Sequence, residues 1–140
     1  MFRKLDDSIS VAPQIGVSDV AEAARQGFKA IVNNRPDGEA PDEPQGDEIE
    51  AAARAAGLSY WAIPVTHSGF STGQIDAMTD AMTEEGPVLA YCRSGTRSTF
   101  LWALARARAG DDSASLAAKA NAAGYGLSPI AALIEGVAPQ

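Results

Sequence analysis

Short apolar runs alternate along this chain with amphipathic stretches that close on glycine, and that alternation limits the fold more than any other feature. "SISVAPQI", "FKAIVNN", "LSYWAIPV" and "PVLAY" read as strands, with "FKAIVNN" apolar and β-branched enough for a buried position. Between them, "VSDVAEAARQG" reads as a helix with Ser18 as N-cap and Gly27 at its end. "DEIEAAARAAG" is a second helix, acidic in its first turn and closed by Gly57, and "GQIDAMTDAMTEEG" is a third, with Ile75, Met78 and Met82 on one stripe. Helical spacing continues at 98–109, 113–123 and roughly 128–137. The pattern predicts one α/β domain over residues 1–140, with a largely parallel central sheet flanked by helices. A ligand site is then expected beyond the carboxyl ends of the strands.

One strand exit carries chemistry. "PVLAY" leads into "CRSGTRS", where the only cysteine of the chain, Cys92, precedes a glycine, two arginines and a helix-like segment. A loop between a buried strand and a helix N-terminus turns several backbone N–H groups toward one point, which suits an anion. Gly95 permits a backbone angle denied to other residues. Arg97 offers a planar, two-pronged donor to a tetrahedral oxyanion, and the amides and side chains of Arg93, Ser94 and Thr96 line the same turn. A thiol placed there is expected to serve as a thiolate nucleophile. Arg35 and Asp37, in "NNRPDG", follow a predicted parallel strand and can border the same crevice, although Pro36-Asp37-Gly38 is also strong turn chemistry.

Composition excludes other classes. One cysteine and one histidine leave neither a disulfide nor a thiolate-rich or histidine-rich metal site, and no cofactor is implied. The net charge of −7 is concentrated in residues 1–86 and peaks at 37–50, a surface that repels nucleic acid and anionic membranes. Residues 87–140 carry 5 basic and 3 acidic side chains, so the arginines near Cys92 form a local positive site suited to a small anion. The start lacks an apolar leader and no run reaches the ~18 apolar residues of a spanning helix, which gives a cytoplasmic expectation.

"YCRSGTRS" resembles the H-C-x-x-G-x-x-R-[S/T] signature of protein tyrosine and dual-specificity phosphatases. Cys92, Gly95, Arg97 and Ser98 fit; Tyr91 replaces the histidine, and one residue is missing before the arginine. The shorter C-x-x-G-x-R loop is similar to that of many rhodanese-type sulfurtransferases. Across "KAIVNNRPDGE", "DEIEAAARAAG", "YWAIPV" and "GPVLAYCRSGTRS", the chain resembles the phosphatase-like domain of bacterial beta-lactamase hydrolase-like proteins. That resemblance implies a dual-specificity-phosphatase-like fold and catalytic roles for Cys92, Arg97 and Ser98. It also implies phosphatase or sulfur-transfer chemistry, with a functional link to a sulfur dioxygenase domain.

Two reactions are separated by one requirement. Phosphoester hydrolysis needs an acid for the leaving alkoxide, and "IPVTHSGFSTG", where these phosphatases carry an aspartate, holds no carboxylate. His67 and, further on, Asp76 are the candidates. Transfer of sulfur from thiosulfate or a persulfide needs only a thiolate, an anion cradle and an open mouth. Sulfur transfer is therefore the leading expectation, with phosphoester hydrolysis second and a non-catalytic anion-binding module third. Tyr60 and Trp61 are expected in the core.

Overall fold

The computed structural model describes residues 2–41 and 43–139; Asp42, within the acidic run, lies outside the described residues. Five strands, β1 (Arg3–Asp6), β2 (Ile9–Ala12), β3 (Ala30–Asn33), β4 (Ser59–Ala62) and β5 (Val88–Tyr91), form one sheet in the order β1-β2-β5-β3-β4. β2, β5, β3 and β4 run parallel, and β1 is antiparallel to β2. The alternation therefore gives the mostly parallel sheet it implied, with the strand before Cys92 at its centre.

β1 escaped the sequence reading. "RKLD" is short and polar, and an edge strand with exposed Arg3 and Lys4 shows too little hydrophobic alternation to register. Asp6 turns the chain back into β2, its Oδ1 accepting from the Ser8 amide at 2.8 Å and from the Ser8 hydroxyl at 2.6 Å.

Among the described residues the helices are α1 (Val17–Arg25), α2 (Gly46–Ala55), α3 (Thr72–Ala81), α4 (Thr96–Arg108), α5 (Ser113–Ala122) and α6 (Ala131–Val137). A 3₁₀ turn, Ser128–Ile130, precedes α6 and replaces the first turn of the helix expected there. The cap of α1 is Gly16 and not Ser18, because the Asp19 carboxylate reaches back to the Gly16 amide at 2.8 Å. α4 begins at Thr96, two residues before the helical spacing indicated, and this places Arg97 in its first turn.

Side chains alternate across β5. Val88 and Ala90 join a core with α3, α4, α5 and α6; Leu89 and Tyr91 join a second core with α1 and α2. Each fully buried aliphatic chain is worth about 1.5–3 kcal/mol of transfer free energy, so both sheet faces contribute to stability. Ile75 and Met78 are buried, and Met82, Trp61 and Tyr60 pack partly buried against the two cores. Trp102, fully buried, donates from Nε1 to Asp6 Oδ2 at 3.0 Å and ties α4 to the edge strand. Among the described residues, no helix is long and apolar enough to cross a membrane.

Candidate active site around Cys92

The carboxyl ends of four strands are stitched together beside Cys92. Its amide donates to Ala12 O after β2 at 3.4 Å; the Asn34 amide donates to Tyr91 O at 2.8 Å; the Val65 amide donates to Asn34 O at 2.9 Å. Loops leaving β2, β3, β4 and β5 therefore share one backbone network, and the thiol sits within it, fully buried.

Residues 92–95 form a tight turn whose last residue, Gly95, is the N-cap of α4. Gly95 takes φ +91°, a left-handed conformation, and its N–H donates to Cys92 Sγ at 3.1 Å. That bond holds Sγ at the N-terminus of α4. A Cβ at position 95 would meet the hydroxyl of Tyr125, the far end of a side chain that can yield, so it is φ that calls for glycine here.

Arg97 is fixed from its far end. Nη1 donates to Glu39 Oε2 at 2.7 Å and to Val65 O at 2.8 Å, while Nη2 donates to Glu39 Oε1 at 2.8 Å. Among the described residues, no carboxylate or carbonyl pairs with Nε or the second Nη2 hydrogen. Glu39 Oε1 also accepts from Arg35 Nε at 2.9 Å. The Arg97 hydrogen bonds, aided by Arg35 and opposed by burial, pull the Glu39 carboxyl down to about 2 from its ordinary 4.5. Glu39 holds the Arg97 guanidinium more firmly protonated in return, burial opposes this, and the Cys92 sulfur adds to it.

Arg35 is buried, shared between Glu39, Glu43 and Gln14 Oε1, the last at 2.9 Å. It therefore supports the anchor of Arg97 from behind. Asp37 accepts from the Gly46 amide at 2.7 Å and starts α2. Ser98, also buried, donates to Asn34 Oδ1 at 2.7 Å, and Asn34 Nδ2 donates to Ile63 O at 2.9 Å, so this pair locks α4 to the exits of β3 and β4. Ser94 and Thr96 bond to each other at 2.9 Å. Arg93 is exposed, its carbonyl accepting from Gln14 N–H at 3.3 Å and its guanidinium in no ion pair among the described residues. His67 is exposed in a turn between Thr66 and Gly69. Asp76 pairs with Arg108 of α4 at 2.7 Å. Tyr91 packs with α1 and α2, and its hydroxyl has no hydrogen-bond partner among the described residues; burial pushes its ionisation far above the ordinary value.

Glu39, Asn34 and Tyr125 were missed by sequence reasoning. Glu39 follows the Pro-Asp-Gly turn directly, where it passes for one more acid of a solvated run. Tyr125 comes from a segment distant in sequence, and its flanking glycines were the only local signal. Among the described residues, no three His, Cys, Asp or Glu side chains group as a metal site.

A thiol at the end of a central parallel strand, inside a loop that opens a helix and carries an arginine, defines the cysteine-phosphatase-like class of α/β proteins. The chain belongs to the family described as beta-lactamase hydrolase-like protein, phosphatase-like domain, whose model matches residues 1–109. It is 40% identical over 101 residues to a beta-lactamase hydrolase-like protein of Xylella fastidiosa (strain Temecula1), a match covering 71% of this chain and 23% of that relative. The chain thus spans about a quarter of the length of the curated relatives it matches. A crystal structure of a candidate phosphatase from Neisseria meningitidis Z2491 superposes with a TM-score of 0.85 at 31% identity, covering 97% of both chains. A candidate phosphatase from Shewanella putrefaciens CN-32 shares the fold, with a TM-score of 0.73 at 18% identity over 97% of this chain and 89% of that one.

Proposed function

We propose that this chain is a thiolate enzyme that transfers a group from a small anion through Cys92, most directly the outer sulfur of thiosulfate or a persulfide. The observation that carries this reading is the bond from Gly95 N–H to Sγ beside an Arg97 whose far end is occupied by Glu39. The sulfur is held as an acceptor, and the arginine keeps one two-pronged edge for the substrate oxygens. Attack by Sγ on the outer sulfur of thiosulfate forms one S–S bond and breaks another. Sulfite leaves with the electron pair and needs no proton. An acceptor thiolate or cyanide then takes the outer sulfur and restores the Cys92 thiolate.

Sulfur transfer is favoured by where the acids lie. Glu39 is held ionised by Arg97, Asp76 is engaged by Arg108, and Asp37 caps α2. None of these is poised to hand a proton to a leaving alkoxide. Phosphoester hydrolysis through a phosphocysteine is the second reading, and the family description together with the Neisseria structure supports it more than sulfur transfer. In that reaction His67 is the remaining acid candidate on the β4 exit loop.

Turnover assays separate the two. The wild type should move sulfur from thiosulfate to cyanide, Cys92→Ser should not, and His67→Ala should retain the rate. Aryl-phosphate hydrolysis that falls about 10²–10⁴-fold in His67→Ala, without sulfur transfer in the wild type, would install the second reading.

A further inference from the structure

Cys92 has no exposed surface, yet any substrate must reach its sulfur. Something over the loop has to move. Arg97 is held by three hydrogen bonds to Glu39 and Val65. The Tyr125 side chain has fewer polar bonds. Its hydroxyl donates one hydrogen bond, 3.0 Å long, to Ser94 O, and lies where a Cβ of Gly95 would be. That hydroxyl is therefore directly over the residue whose amide grips Sγ.

Tyr125 stands between Gly124, at φ +95°, and Gly126, on the connection from α5 to the 3₁₀ turn. Outside the loop, the ring rests under Arg3 of the edge strand, whose guanidinium carbon is 5.6 Å from the ring centroid. Arg3 Nη1 also donates to Ala123 O at 2.9 Å. The latch thus has an inner bond to the loop and an outer seat on β1, and its ring also packs against the larger core. Burial, partly offset by Arg3, and the nearby Cys92 sulfur raise the ionisation of the phenol, so Tyr125 remains a hydrogen-bond donor at neutral pH.

We propose that Tyr125 is the gate of the site: its ring restricts which anions reach Cys92, and its hydroxyl bond to Ser94 O keeps the gate shut at rest. The proposal rests on the reading of Cys92 as the nucleophile and adds a specificity-determining residue that favours compact donors such as thiosulfate over bulky aryl or peptide esters. Tyr125 lies beyond the 1–109 match, so the gate is carried by a part of the chain that the family model does not reach.

The test follows alkylation of Cys92, which needs no enzymatic turnover and so fails independently of the proposed reaction. Rates with small iodoacetamide and bulky N-benzylmaleimide are measured on wild type, Tyr125→Phe and Tyr125→Ala, with thermal melts alongside. Tyr125→Phe loses only the latch, and both rates should rise about 2- to 10-fold, the scale of one hydrogen bond. Tyr125→Ala also loses the wall, and the bulky-to-small rate ratio should rise at least about tenfold beyond the phenylalanine variant. A merely loosened fold would raise both rates in proportion and lower the melting temperature, and that outcome would overturn the gate. Unchanged rates in Tyr125→Phe would do so equally, even if the alanine variant did not fold.

Discussion

Glu39 and Arg97 meet end-on in a two-pronged ion pair, Oε2 at 2.7 Å from Nη1 and Oε1 at 2.8 Å from Nη2, across 58 residues of sequence. The pair fixes the guanidinium plane from its far end. Glu39→Gln keeps the shape and removes the charge. Initial rates of group transfer should fall about 10- to 100-fold, the scale of one or two charge-assisted hydrogen bonds, with the protein still folded by circular dichroism.

The same carboxylate links stability to pH. Its folded value, about 2, lies below its ordinary 4.5, so its contribution is complete above 4.5 and is lost as pH falls toward 2. Urea melts of wild type and Glu39→Gln should therefore differ most at pH above 5 and converge as pH falls toward about 2. A gap that widened on acidification would assign the stabilisation to another group.

Arg97→Lys preserves charge and discards the fork. Turnover should fall by about 10²-fold or more, comparable with loss of an oxyanion donor. Near wild-type rates would mean that charge alone matters at this position.

Asn34→Ala tests the scaffold beneath the site. The substitution strips the Ser98 hydroxyl and Ile63 carbonyl of their buried partners, and chemical denaturation should register a loss of about 1–3 kcal/mol. Ser98→Ala alone should cost less, because it removes only one of the two bonds.

What the sequence disclosed follows from where its signals are local. Cys92, Gly95 and Arg97 are legible because strand, turn and helix start sit within a few residues of one another, and the spacing itself carries the geometry. Glu39 was not legible: its partner is on another loop, and only the convergence of the β3 and β5 exits brings them together. β1 hid for a different reason, since a four-residue polar edge strand buries too little to leave a pattern. Its position has a consequence at the site, because Arg3 seats the ring of Tyr125. Ser98 fitted a motif, yet its hydroxyl is committed to Asn34, a competing partner that no spacing along the chain reveals.

The identity of the group that Cys92 carries tests the account most directly. The protein is incubated with thiosulfate and, separately, with an aryl phosphate, and then weighed intact and as peptides without reducing agent. The account predicts one added sulfur atom on the peptide that contains Cys92, absent in Cys92→Ser and discharged by cyanide. A phosphoryl group on Cys92 with no sulfur adduct would contradict sulfur transfer in favour of phosphoester hydrolysis, and an unmodified Cys92 under both donors would contradict its role as a nucleophile.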